Sequence, residues 1–146
     1  MPQSVYKLLL VEDSDDYALV MTRGIHRNTG LQVSGRAKDG LEAIKYVGGT
    51  GEYGNREKFP MPDVMLLDLQ MPRKDGWEVL EWLKDQQAKP VVVVLTILDN
   101  PAYRKKALGL GADEFQVKPY DEDGLKAFLD WLKALVQSAR QRTASK

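Results

Sequence analysis

Glu12 and Asp13 follow an apolar run, 8–11, without a break, and Asp68 follows a second one, 64–67, in the same way. Acidic side chains placed directly after such runs stand at the carboxyl ends of strands, the edge at which open α/β sheets bind ligands. If the strand order is 2-1-3-4-5, the first and third strands flank the switch point, and Glu12, Asp13 and Asp68 converge there. Three carboxylates that close repel one another and resist ionising unless a cation joins them. Hard oxygen donors with few other ligands suit Mg²⁺, which keeps several waters and often bridges to a phosphate. Thr96 follows the run 91–95, and Lys118-Pro119 follows the run 114–117, at the same edge. A hydroxyl and an ammonium beside a metal and a central carboxylate can hold the oxygens of a phosphoryl group. Taken singly, each residue has an ordinary explanation. Asp13 or Ser14 can cap the helix that follows, and a lone Thr or Lys at a strand end is usually solvated surface. Capping accounts for one acidic residue, not for a cluster drawn from two strands. Whether the Lys118–Pro119 bond is cis, which would aim the lysine inward, is left open by sequence.

These placements require a fold that gathers strand ends, and the periodicity of the chain supplies it. Short β-branched or leucine-rich runs at 6–11, 32–35, 64–67, 91–95 and 114–117 alternate with segments of helical spacing. The first helical segment carries Ala18, Met21 and Ile25 and stops near Gly30. Leu41, Ala43, Ile44 and Val47 mark a second, and Val79, Leu80 and Leu83 a third. Asn100-Pro101, an N-cap followed by proline at the first helical position, opens a fourth that ends at Gly111. The fifth starts from Asp121 as cap and carries Leu125, Phe128, Leu129, Leu132 and Val136 on one stripe. Five βα units whose strands lack strict alternation predict an α/β fold with a parallel sheet covered on both faces.

Two stretches break the rhythm. Residues 48–62 read as a long, flexible polar loop, and residues 137–146 as a disordered tail bearing Arg140, Arg142 and Lys146. The loop contains Gly49-Thr50-Gly51-Glu52-Tyr53-Gly54, formally G-x-G-x-x-G, with Asp75 about twenty positions further on. That fingerprint works only between a strand and a helix. Here it follows a helical segment and runs into Pro60 and Pro62. As a P-loop it fails too, because Asn55-Arg56 stand where Lys-Ser/Thr is required.

Composition narrows the chemistry further. The 146 residues suffice for one domain with a proper core, and 43% hydrophobic with 29% charged residues is ordinary for a globular chain. Lys plus Arg and Asp plus Glu both number 21, so no basic excess marks a general nucleic-acid or anionic-membrane binder. The absence of cysteine removes disulfides, thiolate nucleophiles and Cys-based metal sites; a single histidine, His26, removes a multi-histidine zinc site. The longest apolar runs fall far short of a membrane span and no signal-like start is present, so a cytoplasmic protein is expected.

With these residues in view, the chain resembles the receiver domain of two-component response regulators, from Tyr6 to about Val136. The resemblance rests on Leu-Leu-Val-Glu12-Asp13, Leu-Leu-Asp68-Leu-Gln-Met-Pro72 with Gly76, Val-Val-Val-Leu-Thr96, and Gly111-Ala112-Asp113-Glu-Phe115-Gln-Val-Lys118-Pro119, in order and at family-like spacing. It implies a doubly wound (βα)5, flavodoxin-like receiver fold over residues 5–136, with strand order 2-1-3-4-5 and no output domain. The Gly/Tyr loop before the third strand is similar to that of the small regulators paired with bacterial phytochromes.

The resemblance also implies roles. Asp68 would accept a phosphoryl group from phosphohistidine of a sensor histidine kinase or a phosphotransfer protein. Asp13, Asp68 and the backbone carbonyl of Gln70 would bind Mg²⁺ directly, with Glu12 acting through water. Lys118 would pair with the phosphoryl oxygens, and Thr96 would move to hydrogen-bond them while Phe115 changes its packing in step. Phe115 lacks the hydroxyl of the frequent Tyr, so its inward state forfeits no hydrogen bond. Such a protein signals without being a turnover enzyme, through the surface of the fourth helix, fifth strand and fifth helix, to a downstream protein or a second copy. Trp131 and Leu135, on the flank of the last stripe, either widen the core face or build that contact face. Trp77 is expected to pack locally. Gln70 and Leu98 stand two residues after Asp68 and Thr96, where an apolar Leu98 would hinder the water that removes the phosphate.

Three other readings fit part of the pattern. Asp13-Ser14-Asp15 mimics the nucleophile–acid pair of haloacid-dehalogenase-like phosphatases, but Tyr17 departs from the Thr or Val expected there. A flavodoxin-like cofactor carrier would share the architecture, yet an acidic pocket repels an FMN phosphate. A receiver-like adaptor that never takes phosphate has no evident reason to keep Glu12, Asp13, Asp68, Thr96 and Lys118 together.

Overall fold

The structure is a computed structural model that describes residues 5–28, 30–71, 74–97 and 99–144. Pro72, Leu98 and Lys146, which carried expectations above, lie outside the described residues. Strands β1 (Tyr6–Val11), β2 (Leu31–Ala37), β3 (Val64–Leu67), β4 (Val91–Thr96) and β5 (Glu114–Val117) alternate with helices. The helices are α1 (Asp15–Arg27), α2 (Gly40–Gly48), α3 (Gly76–Leu83), α4 (Pro101–Gly109) and α5 (Glu122–Ala144). The sheet runs β2-β1-β3-β4-β5 and every neighbouring pair is parallel. The fold expected from periodicity and resemblance is the fold observed.

Continuous apolar strands follow from burial on both faces. Leu9, Val11, Met65, Leu67, Val92 and Val94 pack under α2, α3 and α4 with Val79, Leu80, Ala107 and Phe115. Their neighbours Leu8, Leu10, Val64, Leu66, Val93 and Leu95 pack under α1 and α5 with Met21, Ile25, Leu129, Leu132 and Val136. Alternate residues of each strand thus feed two separate cores. Trp131 and Leu135 pack partly buried against the second, which supports the core-face reading of both.

The strand β2 is longer than the run at 32–35 because a bulge interrupts its pattern. Leu8 pairs with Val33 and Leu9 with Gly35, leaving Ser34 over. The Tyr46 ring lies against this point; a Cβ on Gly35 would stand 2.6 Å from its Cε2. The Tyr46 hydroxyl donates to the Pro60 carbonyl at 3.1 Å.

Two sequence expectations are corrected. The loop 48–62 is packed, not flexible. Tyr46, Tyr53 and Phe59 form an aromatic triad with centroids 4.8–5.9 Å apart. Arg56 donates to the carbonyls of Tyr46 and Val47, both at 2.8 Å, at the C-terminal end of α2. Such groups are invisible to a count of polar residues, because the aromatics find one another only after the chain turns at Gly49 (φ 68°) and through a 3₁₀ turn at Gly51–Gly54. The G-x-G-x-x-G string therefore ends a helix instead of opening one. The expected disordered tail is also helical as far as Ala144, where the description ends. Its residues favour helix, and Arg140 forms an ion pair with Asp63 ahead of β3.

Candidate functional site

Each acidic residue is set by the strand it terminates. β1 and β3 are adjacent, with Val11 opposite Leu67, so Glu12 and Asp68 leave the sheet side by side. Ligand oxygens of Glu12, Asp13 and Asp68 all lie within 4.8 Å of one another. Glu12 and Asp68 are buried and Asp13 is exposed. Ser14, not Asp13, caps α1 by accepting the Tyr17 N–H at 3.2 Å, which leaves the Asp13 carboxylate to the cluster. Asp15 lies outside the cluster and pairs with Arg36 at 2.7 Å, so the phosphatase-like Asp13-Ser14-Asp15 pattern does not place its second acid in the pocket.

Lys118 enters from the end of β5. Its Nζ lies 2.7 Å from Glu12 and 3.4 Å from Asp68. The Lys118–Pro119 bond is trans, so the lysine reaches the carboxylates without the cis isomer. The Lys118 N–H donates to the Thr96 carbonyl at 2.8 Å, which ties the two strand ends together. Thr96 is buried. Gln70 is exposed and donates its backbone N–H to Asp68 Oδ1 at 3.2 Å. Phe115 is fully buried; Arg104 of α4 donates to its carbonyl at 3.1 Å and holds its guanidinium 5.4 Å from the ring centroid. Trp77 packs locally, edge-on to Tyr103 and beneath the Lys106 ammonium, and so joins α3 to α4.

Electrostatics follow from burial. Desolvation raises the carboxyl pKa values of Glu12 and Asp68 above their ordinary values, although Lys118 opposes this for both. Burial by itself would lower the Lys118 pKa, but its bonds to Glu12 and its attraction to Asp68 outweigh that and raise it. Three carboxylates face one ammonium here, so a divalent cation with oxygen preference fits the charge and the donor chemistry. Exposed Asp13 keeps one side of the site open to water or substrate.

Sequence reasoning missed two residues at this site. Arg36, at the end of β2, forks onto the Glu12 carbonyl at 3.1 and 2.9 Å and fixes the β1–α1 turn. Tyr17 lies over Lys118, with its ring centroid 4.6 Å from Nζ. Neither stands directly after an apolar run, so the pattern that found the carboxylates could not find them.

Residues 8–130 match the response regulator receiver domain family. The chain belongs to that family. A solved structure of the phosphorylated cyanobacterial phytochrome response regulator RcpA is similar, with a TM-score of 0.80 and 27% identity, covering 93% of this chain and 96% of that one. The Mn²⁺-bound form of response regulator Rcp1 gives a TM-score of 0.75 at 29% identity, covering 88% and 92%. Among curated proteins, protein-glutamate methylesterase/protein-glutamine glutaminase 1 of Methanospirillum hungatei is 34% identical over 115 residues, 77% of this chain and 31% of that protein. Transcriptional regulatory protein PcoR of Escherichia coli is 28% identical over 140 residues, 95% of this chain and 55% of that protein. The chain therefore spans between about a third and about half of the length of these curated relatives. It is a receiver domain of two-component signalling. Among the described residues, no helix is long and apolar enough to cross a membrane.

Proposed function

We propose that this receiver takes a phosphoryl group from a histidine kinase, or from a phosphotransfer protein, onto Asp68. A carboxylate oxygen of Asp68 forms the new P–O bond, the donor's P–N bond breaks, and the departing imidazole carries the electron pair and takes up a proton. The observation that carries this reading is Lys118 Nζ, buried at 2.7 Å from Glu12 and 3.4 Å from Asp68 at one sheet edge. An ammonium there can leave the carboxylates for the phosphoryl oxygens as charge arrives. Asp13, Asp68 and the Gln70 backbone carbonyl would hold Mg²⁺, with Glu12 acting through water, and the ion would supply positive charge against the phosphoryl oxygens. Thr96 supplies a hydroxyl to the phosphorylated state, and Phe115 repacks with it.

The output would run through α4, β5 and α5 to a downstream protein or to a second copy of this chain. Arg104, Lys105, Lys106 and the exposed Tyr103 and Leu108 of α4 offer cationic and apolar contacts for either. Likeness to RcpA supports a phytochrome-type kinase as the donor, and the likeness to Mn²⁺-bound Rcp1 supports a divalent ion at the acidic cluster. The protein acts in the cytoplasm as a switch and not as a turnover enzyme. Incubation with acetyl phosphate and Mg²⁺ tests the reading by intact mass. The parent gains one phosphate; Asp68→Asn and chelator-treated parent gain none. Phosphate on Asp68→Asn at the parental rate would overturn it.

A further inference from the structure

Tyr17 occupies the third position of α1, placed there by the cap that Ser14 forms with its N–H. From this position its side chain crosses to the opposite edge of the pocket. The phenol hydroxyl donates to the Pro119 carbonyl at 3.2 Å, and the ring centroid lies 4.6 Å from Lys118 Nζ. One side chain of α1 therefore grips both the backbone after β5 and the ammonium that β5 delivers. Glu12 and Asp68 hold the same ammonium from the carboxylate side.

We propose that Tyr17 is a positioning residue for phosphoryl transfer, its ring holding the Lys118 ammonium where phosphoryl oxygens arrive while its hydroxyl anchors the Pro119 backbone. The inference rests on the roles given above to Asp68 and Lys118. A lysine has four rotatable side-chain bonds, and carboxylates alone hold it only while their charge is unshared. A divalent ion held by Asp13 and Asp68, with Glu12 reached through water, would draw on the same carboxylate charge and weaken that hold. The attraction of an aromatic face for a cation does not depend on carboxylate charge, so Tyr17 keeps Lys118 in place through that exchange. Its hydroxyl adds a backbone anchor, tying the β5–α5 turn to α1.

Two variants of the full chain separate this role from packing. Tyr17→Phe keeps the ring and loses the hydroxyl, whereas Tyr17→Leu keeps apolar bulk and loses both. With acetyl phosphate and saturating Mg²⁺, Tyr17→Leu is expected to slow phosphorylation by roughly 3–30-fold, and Tyr17→Phe by less than about threefold. Mg²⁺ affinity by calorimetric titration stays within about twofold in both, since no carboxylate is altered. In ¹³C-lysine NMR, the Lys118 ε-methylene protons are shifted by the ring current in the parent and in Tyr17→Phe, and lose that shift in Tyr17→Leu. In a Lys118→Ala background, Tyr17→Leu has no further effect. Phosphorylation of Tyr17→Leu at the parental rate would overturn the role, as would a full effect persisting without Lys118. If Asp68→Asn or Lys118→Ala phosphorylates like the parent, the site reading fails and this role falls with it. Slow phosphorylation of those two beside an unimpaired Tyr17→Leu removes the Tyr17 role alone.

Discussion

Burial sets the acid–base chemistry of Asp68. Its carboxyl and that of Glu12 hold their protons to higher pH than ordinary carboxylates, because the fold removes them from water and Lys118 offsets only part of that. A carboxyl whose folded pKa exceeds its unfolded one, about 4, contributes stability below the unfolded value and loses it as pH rises through the folded value. At neutral pH, without metal, the two carboxylates therefore oppose folding. The Asp68→Asn variant is expected to melt a few degrees above the parent at pH 7 in chelator, with the gain shrinking as pH falls towards about 4. Calorimetry across that range measures it; a variant melting below the parent at pH 7 would mean that the loss of the Lys118 pair outweighs relief from burial. The raised Lys118 pKa acts at the other end, contributing stability that disappears only as pH climbs past the ordinary lysine range.

At the scale of elements, the site depends on how closely the turn after β3 meets the start of α3. Gly76 opens α3, and a Cβ there would stand 2.4 Å from the Asp68 carbonyl oxygen and 2.7 Å from the Leu69 Cα. Both contacts are backbone, so no side chain can move aside. Gly40 plays the same part at the start of α2, where a Cβ would lie 2.2 Å from the Lys74 carbonyl. The Gly76→Ala variant is expected to cost about 1–3 kcal/mol in urea unfolding and to slow acetyl phosphate-driven labelling, since relief of the clash displaces Asp68. Unchanged stability and labelling would show that the turn yields freely. Element ends also explain which sequence signals worked. Asn100-Pro101 opens α4 as read, with Asn100 accepting the Ala102 and Tyr103 N–H groups, and Asp121 accepts the Gly124 N–H at 2.6 Å at the start of α5. The loop 48–62 defied that reading because its order comes from Arg56 and three aromatic rings that meet only in space.

Over the whole molecule, 21 basic and 21 acidic residues cancel, yet the charges are sorted. Acid gathers at the ends of β1 and β3, while Arg104, Lys105 and Lys106 line α4. The extension of α5 past Val136 is tied to the body by Arg140 on Asp63, whose other oxygen accepts the Lys7 N–H at 2.7 Å. Such half-exposed pairs are weak, so Arg140→Ala is expected to lower unfolding stability by only about 0.2–1 kcal/mol in urea titration. A larger loss would make α5's last turns part of the core. Neutral totals said nothing of this arrangement, but local patterns said much. The apolar runs ending in Glu12-Asp13, Asp68, Thr96 and Lys118, spaced by helical segments, determined the strands, the parallel sheet and the edge at which these residues meet, because strand burial and helix periodicity are written in neighbouring residues. Tertiary structure alone decided that Lys118 sits between Glu12 and Asp68 across a trans peptide, and that Arg36 and Tyr17 complete the pocket. Those contacts join residues 24 to 106 positions apart, and no short-range pattern encodes a distance between side chains that only packing brings together.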